Sequence, residues 1–114
     1  MSDHRAMTQP SYFVLAALLD GPLHGYGIIK KAEAQSSGRV RLTAGTLYGA
    51  LDRLDDQGLV TSAGEELVAG RTRRYYRLTD AGLDTLQQEA ARMEQAARLV
   101  TGRRQAPATG PAPA

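Results

Sequence analysis

Cysteine and tryptophan are absent from this 114-residue chain, there is a single phenylalanine, and aromatic residues make up only 5% of it. Without cysteine there are no disulfides, no thiolate metal sites and no cysteine nucleophile, which suits a cytoplasmic protein. Without large aromatic side chains the core must be built from Leu, Ala, Val and Ile. A core that thin in so short a chain favours dimerisation as a source of further buried surface. Long hydrophobic runs are missing too. The apolar segment Phe13 to Leu19 falls well short of the ~20 residues that cross a bilayer, and Met1-Ser2-Asp3-His4-Arg5 leads into no signal-peptide pattern. No membrane partner is expected.

The chemistry of catalysis is equally sparse. The two histidines, His4 and His24, have no spacing that resembles a zinc or iron site. Ser2, Ser11, Ser36, Ser37 and Ser62 lack a histidine–acid context. Gly25-Tyr26-Gly27 is not a phosphate loop, because no lysine follows at the required distance and no strand is expected before it. The expectation is a non-enzyme with neither metal nor cofactor.

Net charge is only +2, so the distribution of charge says more than its total. Arg71, Arg73, Arg74 and Arg77 crowd into seven residues with no acid among them, and Arg39 and Arg41 lie upstream. The acids gather elsewhere, at Asp52, Asp55, Asp56, Glu65 and Glu66.

Periodicity predicts a mainly α chain with a small β-hairpin. Phe13 to Leu19 reads as a helix apolar nearly all round, ended by Asp20-Gly21-Pro22. A second helix is expected from about His24 to Gln35, with Ile28, Ile29 and Ala32 inward, and Ser36-Ser37-Gly38 breaks it. Thr43 is placed to cap a third helix. Leu47, Leu51 and Leu54 give that helix a core-facing stripe, Gly45, Gly49, Asp52 and Arg53 fall opposite, and Gly58 stops it. Exposed glycines cost a helix roughly 1 kcal/mol each relative to alanine, which is tolerable if a bare face must approach another surface. Leu59 to Leu67 and Arg71 to Leu78 read as strands with Val68-Ala69-Gly70 at the tip, and Thr79-Asp80 opens a last helix.

On that last helix Leu83, Leu86, Ala90, Met93, Ala97 and Val100 repeat at alternating intervals of three and four, an a/d seam. The seam suits packing on another helix, either within the domain or, with Phe13, across a homodimer. The resulting division is a flexible start (1–9), a DNA-binding domain (10–80), a dimerisation helix (81–102) and a disordered Pro/Ala tail (103–114).

A capped helix with a bare outer face beside a basic hairpin is the layout of a winged helix-turn-helix. Arg71, Arg73 and Arg74 would neutralise phosphates and bring a hairpin tip to the minor groove. Arg39 and Arg41 would sit at the major-groove rim. Thr43, Thr46 and Tyr48 occupy the first turns of the helix, where base edges are read. The partner is then double-stranded DNA, in an inverted repeat if the protein is a two-fold dimer. The rival reading is a dimeric ligand-binding or protein-interaction module that does not read DNA.

Three blocks carry a family likeness: Leu23-His24-Gly25-Tyr26-Gly27-Ile28; Gly45-Thr46-Leu47-Tyr48 with Ala50-Leu51 through Gly58-Leu59-Val60; and Arg74-Tyr75-Tyr76-Arg77-Leu78-Thr79-Asp80-Ala81-Gly82. With their flanking helices they span about residues 12 to 100, and in this order and spacing they resemble a PadR-family transcriptional regulator of the short type. The resemblance implies a winged helix-turn-helix dimer that represses transcription, the last helix packing on the partner's first helix. It implies that Thr46 and Tyr48 lie on the recognition helix, that Arg71, Arg73 and Arg74 lie on the wing, and that Tyr26 comes close to DNA. It also implies a small apolar or aromatic effector entering between subunits, here near Phe13, Ala17, Met93 and Ala97. The chain departs from the family in Gly49, where proline is frequent, and in having no tryptophan to sandwich a planar ligand.

Overall fold

The computed structural model describes residues 7–105. In chain order it contains α1 (Gln9–Ala17), β1 (Leu23–His24), α2 (Gly25–Gln35), α3 (Ala44–Asp56), β2 (Val60–Val68), β3 (Arg71–Leu78) and α4 (Asp80–Gln105). The three strands form one antiparallel sheet in the order β1-β3-β2. Four helices and this small sheet make a winged helix-turn-helix followed by a long C-terminal helix.

α1 starts earlier than its apolar run. The Thr8 hydroxyl accepts a hydrogen bond from the Ser11 amide at 3.2 Å, and Pro10 sits in the first turn, where a missing N–H costs nothing. The helix thus begins at Gln9, with Thr8 as its cap, inside the stretch expected to be flexible; 1–6 lie outside the described residues. The helix closes at Ala17, two residues before Leu19, as the Leu18 and Leu19 amides turn back to the carbonyls of Leu15 and Ala16.

Most of the apolar surface of α1 is covered within the chain, while Phe13 and Ala16 are half-buried. Val14, Leu15 and Ala17 are fully buried, and α2, α3 and α4 all pack against this helix. Ala17 consequently has no surface to offer an effector, which removes it from the expected effector site. α2 turns Ile28 and Ala32 into the same core and leaves Ile29 partly buried. The link to α3 is fastened by the buried Ser36, whose hydroxyl donates to the Glu33 carbonyl and accepts from the Val40 amide at 2.8 Å.

α3 follows its sequence pattern closely. Thr43 accepts from the Thr46 amide at 3.2 Å, Leu47, Ala50, Leu51 and Leu54 are buried, and Gly58 takes a φ of +77° beyond the last turn. Each buried leucine contributes about 1.5–3 kcal/mol relative to exposure, enough to offset the glycines on the outer face.

The wing runs one residue further than expected on its first strand, with Val68 paired to Arg71. Ala69 and Gly70 form a two-residue turn with φ of +51° and +78°. Two consecutive positive φ values match the right-handed twist of the flanking strands. A bulge separates Ser62↔Tyr76 from Glu65↔Arg74, so Ala63 and Gly64 together oppose Tyr75. β1 is a further strand: although none is expected before Gly25-Tyr26-Gly27 from sequence, Leu23 and His24 pair with Tyr76 and Tyr75.

α4 is capped by Thr79, whose hydroxyl accepts from the Gly82 amide at 2.9 Å and donates to the Gly58 carbonyl at 2.6 Å. Leu86 is only 4% exposed and joins the core of its own chain. It leaves the expected dimer seam, because a partner would find almost none of it to cover. From Ala91 to Arg103 every residue is exposed. The helix continues to Gln105, so residues 103–105 are not part of an unstructured tail; 106–114 lie outside the described residues.

Gly82 decides between two opposing effects. Helix propensity alone would make Gly82→Ala stabilising by about 1 kcal/mol. A methyl group at Gly82, however, would overlap the Leu59 carbonyl oxygen and press on Leu78 Cδ1. Backbone cannot rotate away as a side chain can, so Gly82→Ala should lower stability by about 1–3 kcal/mol in urea unfolding. A neutral or stabilised variant would show that α4 is not held this tightly against the start of β2.

Candidate nucleic-acid interface

The N-terminal turn of α2, the first turns of α3 and the wing line one groove of ≈480 Å³. It is lined by His24, Gly25, Tyr26, Tyr48, Val68, Ala69, Arg71, Thr72, Arg73 and Arg74. Five residues expected from sequence to meet DNA thus converge: Tyr26, Tyr48, Arg71, Arg73 and Arg74. The first-turn amides of α2 have no intrahelical acceptor and add partial positive charge to the same groove.

The remaining candidates stand apart from it. Arg39 and Arg41 are exposed on the segment before α3, and Arg41 Nε lies 3.8 Å from Glu33. Thr43 is committed locally, since its hydroxyl accepts from the Thr46 amide and donates to Thr46 Oγ1 at 3.0 Å. Its role is to cap α3, while the Thr46 hydroxyl hydrogen stays available to an outside acceptor.

On the wing, Arg74 Nε approaches Glu65 at 3.6 Å, whereas Arg71 and Arg73 have no carboxylate within ion-pair distance among the described residues. These unneutralised guanidinium groups near the tip of the hairpin are poised for phosphate oxygens. The bulge matters here. Shifting the register by one residue carries the following side chains to the other face of the ribbon, and so sets Glu66 opposite Arg73. Glu66 Oε1 then accepts from the Tyr75 hydroxyl at 2.6 Å, and the Tyr75 ring meets the His24 ring edge-on at a centroid distance of 5.5 Å.

His24, Gly25 and Thr72 have no role in the groove from sequence alone. Gly25-Tyr26-Gly27 is readable as a rejected phosphate loop, yet a glycine inside a helix carries a propensity cost that calls for a reason. That cost was the available signal.

The model of the transcriptional regulator PadR-like family matches residues 14–88. The chain belongs to the PadR-like family of transcriptional regulators. It is 35% identical over 89 residues to the transcriptional regulator Rv3488 of Mycobacterium tuberculosis, a match that covers 78% of this chain and 79% of that protein. It is 50% identical over 80 residues to a 37.1 kDa protein in transposon TN4556 of Streptomyces fradiae, covering 70% of this chain but only 21% of that longer protein. Among solved structures it resembles Bacillus subtilis PadR crystallised in complex with operator DNA, with a TM-score of 0.60 and 25% identity over 68% of this chain and 44% of the other.

Burial lowers the His24 pKa below its ordinary value near 6.5, the Arg73 charge lowers it further, and Glu66 opposes both. The unfolded chain then binds this proton more readily than the folded one. The stability linked to His24 is fully present above the ordinary value and is lost as pH falls through it toward the folded value. Arg73→Ala should move the His24 titration upward in NMR and lessen the loss of stability between about pH 7 and 5. An unmoved titration would mean that Arg73 does not face the histidine.

Proposed function

We propose that this PadR-like regulator is a homodimeric repressor that binds an inverted-repeat operator through the groove between α3 and the wing. The observation that carries the reading is the convergence of Tyr26, Tyr48, Arg71, Arg73 and Arg74 on that one groove. The similarity to a PadR protein bound to operator DNA supports it. Arg71, Arg73 and Arg74 supply phosphate attraction, while Thr46, Tyr48 and Tyr26 present uncharged hydroxyls for discrimination between bases. Arg39 and Arg41 reach the backbone beside the groove, and Thr43 contributes by holding the first turn of α3.

The dimer in this reading is formed by α4. Leu83, Met93 and Val100 are exposed large apolar residues on it, and Leu99 is 74% exposed. Ala90 and Ala97 complete the seam, and half-buried Phe13 on α1 joins it in the dimer. A two-fold axis through these helices sets two recognition helices on half-sites about one helical turn apart, ~34 Å. A small apolar or aromatic effector entering beside Phe13, Met93 and Ala97 would change that spacing and release the operator. The work is cytoplasmic, and no described helix is long and apolar enough to cross a membrane.

Two experiments test the reading. Sequence selection from a random duplex pool, followed by salt titration, should recover an inverted repeat, and Arg71→Ala should weaken operator and random duplex by similar factors and reduce the salt slope by about one. Absence of any duplex binding would favour the dimeric module that does not read DNA. Ala97→Glu adds charge at an exposed position, so the chain should stay folded. Sedimentation should show monomers, and operator affinity should fall by more than about tenfold at submicromolar protein. A folded monomer with full operator affinity would overturn the dimer.

A further inference from the structure

Tyr48 is half in the groove and half against α2. It is 44% exposed, its ring belongs to the groove wall, and the described residues offer its hydroxyl no hydrogen-bond partner. What it rests on is Gly25, the first residue of α2. A methyl group at Gly25 would overlap the Tyr48 hydroxyl oxygen and would stand 3.1 Å from Tyr48 Cζ and 3.4 Å from Leu47 Cδ2. Gly25 is buried although it has no side chain, because the Tyr48 phenol covers it. Its φ is not in the left-handed region, so backbone conformation does not demand glycine here. The space taken by Tyr48 does.

We propose that Gly25 is a positioning residue for DNA discrimination: its bare Cα is the seat that fixes the Tyr48 ring, with its hydroxyl free in the groove between α3 and the wing. A seated ring presents its hydroxyl from one place, so a DNA acceptor meets a donor that has already lost its rotamer freedom. An alanine at Gly25 fills the seat, and the ring must swing either toward solvent or into the wing. The inference rests on the DNA-binding reading for its consequence but not for its geometry.

The test is a double-mutant cycle on Gly25→Ala and Tyr48→Phe, with the full chain. Gly25→Ala should lower operator affinity about tenfold, the scale of one lost polar contact, and leave random-duplex affinity within about twofold, since no charge is removed. Tyr48→Phe deletes the oxygen that the methyl would strike. Gly25→Ala should therefore cost little in stability or operator affinity when added to Tyr48→Phe, a coupling between touching residues. Full additivity in both readouts would overturn the seat.

A readout independent of DNA is the NMR spectrum of chain labelled with 13C in the tyrosine ring. Gly25→Ala should shift the Tyr48 signal and leave the Tyr12 and Tyr76 signals in place. If the wild-type protein selects no sequence, the DNA-binding reading fails, and the ring signal alone judges the seat: a Tyr48 resonance unmoved by Gly25→Ala overturns it. Should Gly25→Ala unfold the chain, recovery of the fold by Tyr48→Phe supports the seat and persistent unfolding refutes it.

Discussion

Leu47, Leu51 and Leu54 leave water only because α1 and α2 cross behind α3, and the domain is organised around that burial. Val14, Leu15, Leu18, Ile28 and Ala32 are the surfaces those leucines meet. Among the described buried residues Tyr76 is the one aromatic, so close-set aliphatic side chains do most of the filling. Backbone has to come near for that to work. The start of α4 against Leu59 and the start of α2 against Tyr48 are both such approaches, and each is made by a glycine.

Electrostatics divide along the same lines. The recognition helix α3 carries no charged residue in its first two turns, and the guanidinium groups stand on the ribbon beside it. In the proposed DNA complex, attraction and discrimination then reside on separate elements joined through the sheet. β1 is the hinge pin of that arrangement. By pairing with Tyr75 and Tyr76 it ties the start of α2 to the middle strand of the wing.

What the sequence revealed and what it hid follow from the range of the forces involved. The Thr43 cap, the leucine stripe and the Gly58 stop are local, within one turn of the residues they govern, and they were readable. The positive charge of the wing was readable for the same reason. β1 was not, because a two-residue strand has no period and exists only through partners some fifty residues away. Leu86 looked like part of an interhelical seam because spacing reports a shared face without saying what covers it; here its own chain covers it. The apolar surround of α1 tells no more by itself: three helices of the same chain bury Val14, Leu15 and Ala17 and leave Phe13 half-buried. The groove residues His24, Gly25 and Thr72 were hidden because their significance lies in a side chain from another element.

Ala44, Gly45, Thr46 and Asp52 make up an outward strip of α3 that takes no part in the core. Since nothing buried depends on them, these positions are free to vary while the leucines behind them stay constant. In the proposed DNA complex, substitutions there would change the surface offered to the duplex one residue at a time on an unchanged scaffold. A regulator built this way can be duplicated and retargeted without passing through an unfolded ancestor.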